Sequence, residues 1–131
     1  MNEKKSILDD LYTDSGGFDK ERVAAVLKKL LSIQRGEHLI FFRKEVSLKA
    51  DDKVLAFALV KKLLKSEGVV ETSSVSGKEI KQQTDVKSGT VDSSIKSLRD
   101  KEGLLVGSGS SYEIPAQKVD EVVERLEAYF K

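Results

Sequence analysis

A chain of 131 residues has room for one hydrophobic core with an appended helix, and little room for two independent cores. Hydrophobic residues at 39% and charged residues at 34% suit a folded, water-soluble protein, and no uninterrupted apolar run of about 18 residues is present that could cross a bilayer. The 23 Lys and Arg against 22 Asp and Glu leave a net charge of +1, so any attraction to a polyanion must come from a local patch, and the absence of cysteine excludes disulfides, thiolate metal sites and thiol nucleophiles.

The start MNEKKSILDD lacks an apolar signal region, which makes the cytoplasm the expected compartment. Residues 1–68 carry 14 basic and 11 acidic side chains, 69–75 a single acid, 76–114 six of each, and 115–131 three basic and four acidic. Residues 1–17 are polar and end in Asp14-Ser15-Gly16-Gly17; Ile7, Leu8, Leu11 and Tyr12 share one face of a short helix, but a helix of this length is marginal in water, so a flexible tail is expected. Asp19 then caps a helix, with Phe18 placed to staple against Val23. Val23, Val26, Leu27, Leu30 and Leu31 recur at helical spacing, which predicts a helix to about Gln34 that stops near Gly36.

The aromatic, β-branched stretch at 38–42 predicts a short strand. Asp51 or Asp52 is expected to cap a second helix, in which residues 54–60 are apolar on every side and must therefore be surrounded by other elements. Lys61, Lys62 and Lys65 suit its C-terminal end, and Gly68 a left-handed cap. After the Ser-rich link 69–75, Ser76-Gly77-Lys78-Glu79 is a capping box that opens a helix of about two turns. Thr84-Asp85-Val86-Lys87 reads as a turn. Ser88-Gly89-Thr90 opens a further helix, over 88–101, in which Val91, Ile95 and Leu98 form an apolar stripe and Gly89, Ser93, Lys96, Ser97 and Asp100 the polar face. Gly103 closes that helix, 104–106 reads as a strand, 107–110 as a turn and 112–114 as the returning strand before Pro115. From about Ala116 a last helix places Val119, Val122, Val123, Leu126 and Phe130 on one stripe, as a cover for the domain or as a dimer surface.

Glu79, Ile80 and Thr84, then Val86, then Gly89, Thr90, Val91, Ile95 and Leu98, then Gly103, Leu104 and Leu105 resemble the winged helix-turn-helix family over about 52–114. In that family a short E-I-x-x-x-T helix leads through a hydrophobic turn residue to G-T-V-x-x-x-I-x-x-L, a glycine and two wing strands. Asp85 stands where the family often has Gly, and Lys87 replaces the usual Ser cap, so Ser88 is the candidate cap. The resemblance implies that 88–101 enters the major groove of DNA while the hairpin 104–114 touches the flanking backbone. The DNA-contacting residues it implies are Lys87, Ser88, Gly89, Thr90, Ser93, Lys96 and Ser97. Hydroxyls and helix N-terminal N–H groups bond phosphates, Lys reaches phosphate or guanine, and Gly89 lets the backbone approach closely. Against this stand the neutral charge of 76–114 and the absence of Lys and Arg from 104–114.

The remaining residues suggest little chemistry. A lone His38 has no second His or Cys to complete a metal site. Arg43, Lys44, Lys49 and Lys53 with Lys61, Lys62 and Lys65 read as a solvated face, with an auxiliary phosphate patch as the alternative. The Asp9-Asp10 and Asp51-Asp52 pairs read as tail and cap residues before they read as Mg²⁺ ligands of a nuclease, and Gly16-Gly17 lacks the context of a phosphate loop. Ser108, Ser110 and Ser111 have no positioned base.

The expected fold is mostly α (α+β): a tail over 1–17, a helix and connection over 18–50, a winged helix-turn-helix over 51–114 and a C-terminal helix over 115–131, as one compact unit. The expected function is that of a non-enzymatic protein binding double-stranded DNA, a small transcriptional regulator, without cofactor or metal, as a monomer or as a homodimer through the C-terminal helix. The alternative is a winged-helix protein-interaction module in a larger assembly.

Overall fold

The computed structural model describes residues 18–36, 39–108 and 110–130. The tail expected over 1–17, with its Asp and Gly pairs, and the single His38 lie outside the described residues. The described residues are mostly helical, with two small antiparallel hairpins among them.

Helix α1 (Lys20–Leu30) begins where Asp19 accepts the Arg22 backbone N–H at 3.0 Å and buries Val23, Val26, Leu27 and Leu30. It ends four residues earlier than the apolar spacing suggests. Leu31 turns extended (φ −157°, ψ 171°), and Leu31–Ile33 form strand β1 against β2 (Ile40–Phe42), pairing Leu31 with Phe42, Ser32 with Phe41 and Ile33 with Ile40. Three residues satisfy helical and alternating patterns alike; the ladder to the apolar 40–42 segment decides between them. Gly36 belongs to the connection of this hairpin and not to a helix end.

Helix α2 (Ala50–Ser66) is the central element, with all of residues 54–60 buried. Its N-cap is Lys49, two residues before the first of the expected aspartate caps, and Lys49 makes no side-chain capping bond. Asp51 and Asp52 instead sit in the first turn, where carboxylates favour the helix dipole. At the other end Gly68 (φ 74°) donates to the Lys65 carbonyl at 3.0 Å and Val69 to Leu64 at 2.9 Å, the two bonds of a Schellman cap.

Helices α3 (Gly77–Gln83) and α4 (Ser88–Asp100) follow, joined by residues 84–87. Leu104 and Leu105 are both buried and their N–H groups bond the Leu98 carbonyl, so they plug the end of α4 instead of forming a strand. Consecutive strand residues point to opposite faces, and two adjacent leucines seeking one core cannot both be served that way. Strand β3 is therefore Val106–Ser108, paired with β4 (Ser111–Glu113). Gly107, expected in the turn, lies opposite Tyr112 at φ 148°, and a Cβ there would stand 2.0 Å from the Ser111 carbonyl oxygen. The Ser-rich link holds a further ladder contact: Val75 and Tyr112 exchange two backbone hydrogen bonds of 2.7 Å.

A 3₁₀ turn over Ala116–Lys118 leads into α5 (Val119–Glu127), and a second over Ala128–Phe130 follows it. Val119, Val122, Val123 and Leu126 are buried in the same hydrophobic cluster as α1 and α2, so α5 covers its own chain. That stripe is buried within the chain, as the covering role requires; Phe130, expected on it, is 39% exposed. Among the described residues, no helix is long and apolar enough to cross a membrane.

Candidate nucleic-acid interface

The α3–α4 unit is built by local bonds. Ser76 Oγ accepts the Glu79 N–H at 3.0 Å while the Glu79 carboxylate accepts the Ser76 N–H at 3.2 Å, completing the capping box. Thr84 donates its hydroxyl to the Ile80 carbonyl at 2.6 Å and accepts the Val86 N–H at 3.3 Å, which folds the chain from one helix to the next. Ile80 is buried and Val86 half-buried against the core.

Val91, Ser94, Ile95 and Leu98 turn α4 inward; buried Ser94 extends the apolar stripe expected from the sequence. Lys87, Ser88, Gly89, Thr90, Ser93 and Lys96 are all exposed, whereas Ser97 is half-buried. The N-cap is Lys87, without a capping side chain, and Ser88 is the first helical residue and not the cap. Ser93 donates its hydroxyl back to the Gly89 carbonyl at 3.1 Å, leaving its oxygen as an acceptor. No atom lies within 4 Å of a Cβ built on Gly89, so the fold itself does not demand glycine there.

The β3–β4 hairpin is fastened from behind. Glu113 accepts hydrogen bonds from Ser73 Oγ at 2.7 Å and from Lys62 Nζ at 3.2 Å, and these hold its carboxyl below the ordinary carboxylate range against the opposing effect of burial. Lys62, expected on an exposed basic face, is only 7% exposed. Between α4 and the hairpin lies an open cleft of about 330 Å³, lined by residues that include Lys78, Asp92, Lys96, Arg99 and Tyr112. The Arg99 guanidinium stacks over the Tyr112 ring at 5.8 Å and pairs with Asp100 at 2.7 Å. The hydrogen bond between them raises Arg99 and lowers Asp100 from their usual pKa values.

Pairing changes the charge balance read from the sequence. All six acids of 76–114 are engaged: Glu79 by Lys61, Asp85 by Lys53, Asp92 by Lys81, Asp100 by Arg99, Glu102 by Arg125 and Glu113 by Lys62. Four of those cations come from outside the segment, three from α2 and one from α5. The segment's own Lys78, Lys87, Lys96 and Lys101 are exposed and form no ion pair among the described residues. A stretch with six charges of each sign thus presents uncompensated positive charge around α4. Lys78 was not among the residues singled out from sequence; its place two residues after the Ser76 cap puts it at the outer start of α3.

The auxiliary basic patch is dispersed, because Lys53, Lys61 and Lys62 are used in these pairs. Asp52, read from sequence as a cap residue before a Mg²⁺ ligand, is 4% exposed and holds Arg125 at 2.6 Å and the Tyr129 hydroxyl, which itself accepts the Lys49 N–H at 3.1 Å. Arg125 also reaches Glu102, so one guanidinium ties α5 to the start of α2 and the end of α4. Nothing in the one-dimensional pattern announced this buried network, since its members are 23 and 73 residues apart. No group of His, Asp and Glu among the described residues is arranged to hold a metal ion. No protein-family model, no curated protein and no solved structure matches this chain.

Proposed function

We propose that the chain is a winged-helix protein that binds double-stranded DNA without catalysing a reaction, with α4 as the element that enters the major groove. The observation that carries this reading is the charge redistribution: every acid of 76–114 is in an ion pair, while exposed Lys78, Lys87, Lys96 and Lys101 form none among the described residues, Lys96 acting on Asp100 only from a distance. Free lysines displace the counterions condensed on phosphate, and the hydroxyls with the open first turn of α4 supply short-range hydrogen bonds. Four free cations correspond to a modest affinity that falls steeply with salt. Regulation of transcription from the cytoplasm is the role such a module would fill. The test is fluorescence anisotropy with a labelled random-sequence duplex at low salt. Binding is expected, and Lys87→Ala with Lys96→Ala should lower the slope of log affinity against log salt by about two units. Undetectable duplex binding by the wild-type chain would overturn the reading.

A second reading, a module that docks another protein, draws on one feature: the hairpin over 104–114 carries no Lys or Arg and exposes Val106. A protein partner retained after nuclease digestion, together with no affinity for duplex, would favour it.

A further inference from the structure

The β1–β2 hairpin, which the resemblance does not cover, lies against the α3–α4 turn. Leu39 and Phe41 line one side of a groove of about 260 Å³, and Gln82, Gln83, Thr84 and Asp85 line the other. Phe41 is the most exposed large hydrophobic residue of the described chain, at 55%. Lys53 joins the two sides from behind, with its ammonium 5.4 Å from the centre of the Phe42 ring and 2.9 Å from Asp85. Asp85 precedes Lys87 by two residues, a reach of at most about 7 Å along the chain. The groove therefore opens beside the N-terminal end of α4, where the free lysine stands. Directly after β2 come Arg43 and Lys44, both exposed and in no ion pair among the described residues, although Arg43 Nε donates to the Lys28 carbonyl at 2.9 Å.

An exposed ring alone does not identify an occupant, but this one is followed along the chain by exposed Arg43, Lys44 and Glu45, a net charge of +1, and shares its groove with the amides of Gln82 and Gln83. That combination suits the backbone of a DNA duplex: the ring packs on a deoxyribose, the cations follow the phosphates, and the amides bond phosphate oxygens. Among the described residues Asp85 is the one charged residue lining the groove, and Lys53 already holds it, so no free acid there would repel a phosphate. We propose that the β1–β2 hairpin is a second nucleic-acid-contacting element, with Phe41 packing on the nucleotides that flank the segment held by α4 and with Arg43 and Lys44 on the adjoining phosphates.

This inference rests on the DNA-binding reading, and the experiment separates the two. Binding of a labelled random-sequence duplex of about 24 base pairs, two turns of the helix, is measured for the full-length wild type, Phe41→Ala, the double variant Arg43→Gln with Lys44→Gln, and Lys96→Ala. Phe41→Ala is expected to weaken binding about five- to tenfold with unchanged thermal unfolding, and the double variant to reduce the salt slope by about two units. Wild-type affinity in both hairpin variants, while Lys96→Ala weakens binding, would overturn the inference and leave the DNA reading standing. No binding by the wild type would remove both.

Discussion

The β1–β2 hairpin turns an aromatic ring outward beside two unpaired cations and rests on buried Leu31 and Ile40, whereas the β3–β4 hairpin carries no cation in its strands and is held by a backbone bridge to Val75 and by Glu113 between Ser73 and Lys62. The first is anchored by apolar burial and by Arg43, which donates to the Lys28 carbonyl. The second is anchored by polar contacts and leaves few for a partner. Similar two-strand units thus differ in how they are fastened: one by an apolar underside, the other by a backbone bridge and a charged side chain.

Four substitutions sharpen this contrast. Ile40→Ala empties a buried site under β1–β2 and should cost about 3 kcal/mol in urea unfolding. Gly107→Ala should destabilise β3–β4 by about 2 kcal/mol, because it places a Cβ against the Ser111 carbonyl in a backbone region that L residues avoid. An unchanged midpoint for Gly107→Ala would show that this hairpin is not as tightly closed as its register implies. Glu113→Gln should cost about 1 kcal/mol at neutral pH; the carboxylate is over a third exposed, so solvent screens the pair. The folded pKa of Glu113 lies below its unfolded value, so its contribution is complete above the usual carboxylate range and is lost as pH falls through the folded value. The Gln variant should flatten that part of the acid limb, measured by unfolding at a series of pH values. Gly89→Ala should raise stability by about 0.5 kcal/mol, since nothing crowds the site, yet should weaken DNA binding if the backbone there meets the duplex.

The α3–α4 pair was legible because its signals are local. The capping box, the Thr84 turn and the Val91, Ile95, Leu98 stripe each lie within a few residues, and each appears as read. The end of α1 was not legible, because Leu31 and Ile33 fit both periods and the choice depended on strand 40–42. The expected caps at Asp51, Asp52 and Ser88 failed for a related reason. Asp52 satisfies its oxygens through Arg125 and Tyr129, far along the chain, and α4 starts at Lys87 without a side-chain cap.

Residue order by itself determined the helical character, the buried α2 and the exposed polar side of α4, since these follow from nearest-neighbour propensity and the 3.6-residue period. The sign of the charge around α4 was decided only in three dimensions. Counting gives six against six over 76–114, but Lys53, Lys61 and Lys62 of α2 and Arg125 of α5 neutralise acids of that segment across the fold. Coulombic pairing acts through distance in space and not along the chain, so a neutral stretch can become a positive face when other helices supply the partners for its acids.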